Sequence, residues 1–331
     1  PRSTLSSSSA ASDVYKRQDL DWSNHIKRGD LPVKPEFDDL GNVYPEYNDM
    51  SEDEKREVSW HASAWGLSQF LHGEQGALLV ASQLVSCAPT YQAKLYAASQ
   101  CFDEARHVEV FNRYLQDVMG MSYPISPSLK ALLDKGLTDP RWDLKFIAMQ
   151  IIIEGLALAA FQSTKMSTSC PLLRDLTHYV IRDEARHVTF GINYLEDFNK
   201  TLSEDEIEDR ARFAYEACVI MRDRIQNYEL GKKFFGYSEQ EAREAILKSG
   251  VNDDFRGLLF NRVMPNLKKI GLLTESVRPL YDELGLLEYE AAPSDFEIDW
   301  AEISKPLESS DEIESQAEEQ AEVIKEMFHN H

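Results

Sequence analysis

Helical spacing of apolar and polar residues runs through most of the chain, and signals for β-strands are almost absent. The first long helical stretch begins at Ser51, where Glu54 three residues later completes a capping-box signature. It continues to about Ala88, and Pro89 then breaks the pattern. The sequence therefore predicts an all-α fold.

The later helical stretches mostly begin at a proline or at a Ser/Asp-rich cap, as helix N-termini prefer. A second stretch reaches about Met119, where Gly120 ends it, and a connector with Pro124 and Pro127 follows. The remaining predicted helices are Pro140–Met166, Pro171–Lys200, Ser203–Glu229, Ser238–Ser249, Asp253–Ile270 and Glu275–Leu286. We expect the last three to pack as accessory helices on a bundle formed by the others.

Both ends of the chain differ in composition from its middle. The Ser-rich start has no apolar core of the kind a signal peptide needs, and we interpret it as an artefactual or disordered segment. From Ser294 to His331, twelve acidic residues stand against two lysines, which favours a solvated, disordered tail over an amphipathic helix on a partner. The predicted organisation starts with an artefactual or disordered segment at 1–18 and an irregular approach to the bundle at 19–50. A helix bundle at 51–230, accessory helices at 231–290 and an acidic tail at 291–331 follow.

A repeated motif is the main chemical signal. The hexapeptide DEARHV occurs at Asp103–Val108 and again, 80 residues later, at Asp183–Val188. The same offset relates Glu74 to Glu154, so each half of the chain carries a Glu followed thirty residues later by Glu-x-x-His.

The spacing of thirty residues suits a helical hairpin. Pro89 lies midway between Glu74 and Glu104, so fifteen residues up and fifteen down bring the chain back to the same height. Within each motif, positions i and i+3 share one helix face. Packing two such hairpins together would gather six side chains at one level of the core: Glu74, Glu104, His107, Glu154, Glu184 and His187.

Four buried carboxylates require compensation. Unpaired, each would cost several kcal/mol or take up a proton, whereas two divalent cations neutralise them. Carboxylate and imidazole donors suit iron or manganese, and the set contains no cysteine of the kind a structural zinc site favours. The arrangement is the one known from di-iron and di-manganese helix bundles. We therefore predict two Fe ions as cofactors, with a mixed manganese–iron pair as the alternative.

On the doubled DEARH motif and its two upstream Glu residues, the chain resembles the ferritin-like di-iron carboxylate superfamily, in its O₂-activating oxygenase/oxidase branch. The resemblance covers about Ser51 to Glu229. It implies a ferritin-like four-helix bundle with additional C-terminal helices. It further implies that Asp103 supports His187, that Asp183 supports His107, and that Arg106 and Arg186 steady these aspartates.

Departures from relatives narrow the expected chemistry. Phe111 stands where radical-storing ribonucleotide reductase subunits carry a tyrosine, and Ala157 and Leu158 stand where many oxygenases carry a threonine. Aryl-amine N-oxygenases carry an extra histidine at the position of Val180. The resemblance therefore implies a six-ligand oxidase or monooxygenase that acts on a small organic substrate. We expect an apolar wall formed by Phe70, Leu78, Phe111 and Leu158, and this wall predicts an apolar or aromatic substrate.

Glycines surround two of the predicted ligands. Gly73 and Gly76 flank Glu74, and Gly155 follows Glu154, although glycine costs about 1 kcal/mol inside a helix. Two interpretations stay open. The glycines leave room for O₂ or substrate beside the metals, or they allow the helices to pack closely.

Charge and cysteine usage limit the partners and the compartment. A formal charge of −22 disfavours nucleic acid and anionic membranes, and the most apolar stretch, Phe146–Phe161, is too short to cross a bilayer. Four scattered cysteines fit a reducing, cytoplasmic location. The expected partners are O₂, a small-molecule substrate, an electron-donating reductase or ferredoxin, and a second copy of the chain in a homodimer. A ferroxidase without organic substrate and a structural di-metal bundle are the alternative functions.

Overall fold

The computed structural model describes residues 20–222, 227–295, 297 and 309–329, and no β-strand forms among them. The all-α prediction is confirmed. Three short helical turns, Pro35–Phe37, Leu40–Val43 and Pro45–Asp49, interrupt the irregular approach. The segment 1–18 lies outside the described residues, so its interpretation stays a prediction.

Two helical hairpins form the bundle. In the first, α1 (Glu52–Cys87) packs along α2, which runs over Tyr91–Tyr114 and ends in a π-helical turn at Leu115–Met119. In the second, α4 packs along α5 (Pro171–Asn199). Helix α4 consists of Trp142–Phe146, a π-helical segment Ile147–Ile153, and Glu154–Ser167. Contacts between α2 and α5 join the two hairpins.

Local hydrogen bonds explain where the first hairpin starts and turns. The Ser51 side chain accepts from the Glu54 amide while the Glu54 carboxylate accepts from the Ser51 amide, which confirms the predicted capping box. Thr90 caps α2 by accepting a hydrogen bond from the amide of Ala93. The hairpin turn is therefore confined to Ala88, Pro89 and Thr90.

Helix α4 is the central core helix. Its 26 residues make it long and apolar enough to cross a membrane by length and composition alone. The expectation that the apolar stretch of this helix is too short to cross a bilayer was therefore wrong. However, 89% of its most apolar window is buried inside the protein, as in the core helix of a globular bundle. Burial by α1, α5 and α9 accounts for its hydropathy.

The connector predicted around Pro124 and Pro127 is partly wrong, because α3 (Pro127–Thr138) occupies most of it. Ser126 caps this helix and Pro127 fills its first position, where proline is favoured. Leu129, Leu132 and Leu133 are buried against the bundle.

Five further α-helices follow α5 in the described part of the chain up to Glu283. They are α6 (Glu204–Arg222), α7 (Tyr228–Phe234), α8 (Glu239–Ser249), α9 (Asp253–Lys269) and α10 (Arg278–Glu283). Among them, α9 packs directly on α4.

The expectation of a disordered acidic tail was wrong for its last part. Helix α11 (Ser310–His329) packs on α4 and α5 of its own chain. Ile313, Ala317 and Ala321, four residues apart, are buried in this contact. A narrow apolar stripe therefore docks the helix, although most of its residues are acidic or polar.

Candidate metal centre

The four bundle helices place six predicted ligands at one level of the core. Helix α1 carries Glu74, α2 carries Glu104 and His107, α4 carries Glu154, and α5 carries Glu184 and His187. All six are at most 4% exposed. Without compensation such burial would be unfavourable for carboxylates.

The six side chains form two overlapping groups. In the first group, ligand atoms of Glu74, Glu104, His107 and Glu184 all lie within 4.8 Å of one another. The second group, defined by the same distance, contains Glu104, Glu154, Glu184 and His187. Glu104 and Glu184 belong to both groups, so each of these two carboxylates could contribute to either of two cation sites.

The electrostatics of this cluster fit a pair of cations. Burial raises the pKa of the Glu74 and Glu154 carboxyls well above the usual range, and neighbouring carboxylates add to the effect. Oε2 of Glu154 has no hydrogen-bond partner among the described residues, although it is buried. Cations would satisfy this oxygen and remove the repulsion, and the oxygen and nitrogen donors suit iron.

Each imidazole points one nitrogen into the cluster and the other at an aspartate. Nδ1 of His107 lies 3.0 Å from Glu184 Oε1 and 3.2 Å from Glu74 Oε2, while Nε2 lies 3.2 Å from Oδ2 of Asp183. Burial opposes a charge on the His107 ring, but its carboxylate partners raise its pKa well above the usual value. Since the Asp183 carboxylate can only accept, Nε2 donates to it, and Nδ1 is the ring nitrogen that faces the cluster carboxylates.

The second motif repeats this geometry with the helices exchanged. Nε2 of His187 lies 3.3 Å from Oδ2 of Asp103, and Nδ1 lies 3.3 Å from Oε2 of Glu184. Arg106 donates to Asp183 at 3.0 Å and also to Asp103, and Arg186 donates to Asp183. Each aspartate thus lies within hydrogen-bond distance of the histidine of the opposite hairpin, which is the contact that the predicted pairing requires.

Replacing Asp183 with asparagine should weaken metal binding by about 10–100-fold, because a neutral amide orients the His107 ring less well than a carboxylate does. Titration with Fe(II) under anaerobic conditions measures the change. Asp197→Asn on the same helix, where the side chain is 86% exposed, is the matched control. Equal affinities in the two variants would show that Asp183 does not support a metal-binding histidine.

Two glutamines beside the cluster were not assigned a role from the sequence. Gln100, one turn before Glu104 and 1% exposed, donates to Glu104 at 3.1 Å and also to Glu154. Gln150 on the π-helical segment of α4 donates to Oε1 of Gln100 at 2.9 Å. The chain Gln150–Gln100–Glu154 holds one carboxylate oxygen of Glu154 in place. The position of Gln100, i−4 from a predicted ligand, is the signal that could have revealed it.

A cavity of about 40 Å³ borders Glu74, Glu154 and Glu184. Of the predicted apolar wall, Phe70 lines it, and Phe111 lies behind Phe70 with ring centroids 5.7 Å apart. The assignment of Leu78 and Leu158 to this wall was wrong. Their places are taken by Ala77, Leu129, Ile153, Leu156 and Phe161.

The fold and this buried carboxylate–imidazole cluster define a di-iron oxygenase of the ferritin-like superfamily. The family model described as p-aminobenzoate N-oxygenase AurF matches residues 2–229, and the chain belongs to this family. Comparisons with curated proteins and with solved structures gave no match.

Proposed function

We propose that the chain holds two irons on Glu74, Glu104, His107, Glu154, Glu184 and His187 and oxidises a small apolar or aromatic substrate with O₂. The observation that carries this proposal is the pair of overlapping ligand groups next to an apolar cavity. When bound, the irons would activate O₂ and accept or supply the electrons of the reaction.

The protein's own residues would set the geometry and the dryness of the site. Asp103 and Asp183 hold the two imidazoles in the orientation that presents Nδ1 to the cluster. Gln100 fixes one carboxylate. Apolar side chains around the cavity of about 40 Å³ exclude water, which strengthens every electrostatic interaction inside it.

The electron balance requires a partner. Inserting one oxygen atom of O₂ into a substrate and reducing the other to water consumes two electrons and two protons from outside. We propose a reductase or ferredoxin as the donor and a homodimer as the working assembly.

Val180 bears on which atom is oxidised. Its side chain is buried in an apolar cluster and has no donor atom, so this position provides no seventh ligand. The matching family is described by an N-oxygenase of an aryl amine. A C–H bond, a C=C bond and an amine nitrogen are all included in the proposed substrate range.

Anaerobic loading with Fe(II), followed by O₂ with and without a panel of amines, fatty acids and aromatics, tests the proposal. We expect two irons per chain and O₂ uptake that yields an oxidised organic product. Continued oxidation of excess iron into a mineral, without product, would instead show a ferroxidase. Bound iron that does not react with O₂ would show a structural di-metal bundle.

A further inference from the structure

The outer face of the first hairpin carries almost no charge. From Gln75 to Phe102 the chain contains one charged residue, Lys94, although 28% of all its residues are charged. The Lys94 ammonium is turned back onto the end of α1, where it donates to the carbonyl of Val85 at 3.2 Å and also to that of Ser86. We call the solvent-exposed side of residues 75–102 the hairpin face.

Large apolar side chains are exposed on the hairpin face. Leu79 on α1 and Tyr91, Leu95 and Phe102 on α2 are 44–76% exposed, and they make up four of the six exposed large hydrophobic residues among the described residues. The three on α2 are spaced at i, i+4 and i+11, so they form one stripe. Equal rise on the two arms places Leu79 at the height of this stripe, between Leu95 and Phe102. An exposed apolar patch of this kind marks an interaction surface.

The charge of the chain indicates what covers the hairpin face. Two copies with a formal charge of −22 each repel one another wherever their acidic surfaces approach. The hairpin face is free of this repulsion. A partner of opposite charge would instead gain its attraction on the acidic surfaces of the chain. The hairpin face therefore fits a surface that is itself neutral and apolar, and a two-fold axis supplies that surface from an identical chain.

The hairpin face borders the side chains that contact the two imidazoles of the cluster. Cζ of Arg106 lies 5.0 Å from the centre of the Phe102 ring, and Arg106 donates to Asp183 at 3.0 Å and also to Asp103. We call Arg106 and these two aspartates the support layer. The side chains of Asp103 and Asp183 are 14% and 9% exposed, so water still reaches this layer. A protein surface laid over Phe102 would exclude that water and strengthen the charge pairs beneath it.

We propose that the hairpin face is covered by the same face of a second copy, and that this contact stabilises the support layer and thereby retains the metal ions. The inference rests on the proposed function, for which it names the dimer surface and a control of the metal site. Tyr91, Leu95 and Phe102 form the apolar centre of the contact. Exposed neutral residues form its rim: Gln75, Ser82, Ser86, Gln92 and Ser99.

Sedimentation velocity of the iron-loaded protein under anaerobic conditions tests the contact, and we expect a dimer. Leu95→Glu and Tyr91→Glu should each weaken the dimer at least about 100-fold, because two-fold symmetry places every added carboxylate in the interface twice. Both positions are exposed in the single chain, so the variants should fold as the native protein does, which circular dichroism verifies. Leu247→Glu on α8 is the matched control, because it adds the same charge at a leucine that is 69% exposed, and it should leave the dimer intact.

Release of Fe(II) to a chelator from the same preparations tests the retention of the metal ions. We expect Leu95→Glu and Tyr91→Glu to lose iron at least about threefold faster than the native protein and Leu247→Glu, because the support layer then faces water. Neither Tyr91 nor Leu95 belongs to the cluster or to the support layer. Faster loss of iron therefore reports the loss of the second copy.

A monomeric native protein would overturn the inference, and so would Leu95→Glu and Tyr91→Glu variants that dimerise as tightly as Leu247→Glu. Equal rates of iron release from monomeric variants and native dimer would overturn it as well. A monomeric native protein that oxidises an organic substrate would refute the contact and leave the oxygenase standing. A dimer that behaves as expected but takes up no O₂ would refute the oxygenase and leave the contact standing.

Discussion

Replacing Glu104 with alanine should remove both irons, whereas replacing Glu74 or Glu154 should leave about one iron per chain. Glu104 belongs to both four-residue ligand groups, while Glu74 and Glu154 each belong to one. Loss of a supporting residue already costs about 10–100-fold in metal affinity, so loss of a shared ligand should cost more than about 100-fold. Metal analysis after anaerobic Fe(II) loading and desalting measures the stoichiometry.

Glu109→Ala is the control for Glu104→Ala, because it removes a carboxylate from the same helix outside the cluster. We expect two irons in the control. Two tightly bound irons in Glu104→Ala would show that this side chain bridges nothing and that the ligand set is wrong. Glu184→Ala, which removes the other shared carboxylate, should behave as Glu104→Ala does.

The convergence of the six side chains could be predicted because it depends on spacing alone. Equal rise on both arms of a hairpin returns Glu104 to the level of Glu74, whatever the details of packing. Proline and a capping threonine mark the turn of the first hairpin in the sequence itself. The structure brings the six groups together at this level, while their role as metal ligands stays a prediction.

Features that depend on tertiary packing could not be predicted in this manner. The π-helical segment Ile147–Ile153 is a run of apolar residues that would look the same in an α-helix, yet it sets the position of Gln150 relative to Gln100. The sequence places Pro127 in a connector, whereas in the structure it begins α3. A Cβ atom on Gly76 would collide with Leu133, whereas one on Gly73 would meet no described atom within 4 Å. No local sequence pattern records which residues face a glycine.

Helix α11 was missed because its composition is that of a solvated segment, while its docking depends on residues far away in sequence. Lys165 and His178, both 2% exposed, lie 3.2 Å apart beneath it, and Lys165 donates to Gln316 at 2.6 Å. Burial, and then neighbouring positive charge, lowers the pKa of Lys165 to about 8 and that of His178 to about 3. Helix α11 therefore covers the side chains of Lys165 and His178, which would otherwise face water.

An ion pair and a hydrogen bond hold the start of α11 in place. Arg174 contacts Glu314 at 2.9 Å, and the Ser310 hydroxyl donates to Asp175 at 2.7 Å. Glu314 is half exposed, so solvent screens its pair with Arg174 and the pair contributes little on its own. The buried stripe of Ile313, Ala317 and Ala321 should therefore carry most of the docking free energy.

Replacing Ala317 with aspartate should detach α11 from the bundle. Ala317 is 1% exposed, and a carboxylate placed there would lose its hydration without a matched cation, at a cost of about 3 kcal/mol or more. Hydrogen exchange should then become fast in the amides of α11 but not in those of α2, and the thermal midpoint should fall. Ser315→Asp adds the same charge on the exposed face of α11 and should leave exchange unchanged. Equal protection of α11 in the two variants would show that the buried stripe does not hold the helix.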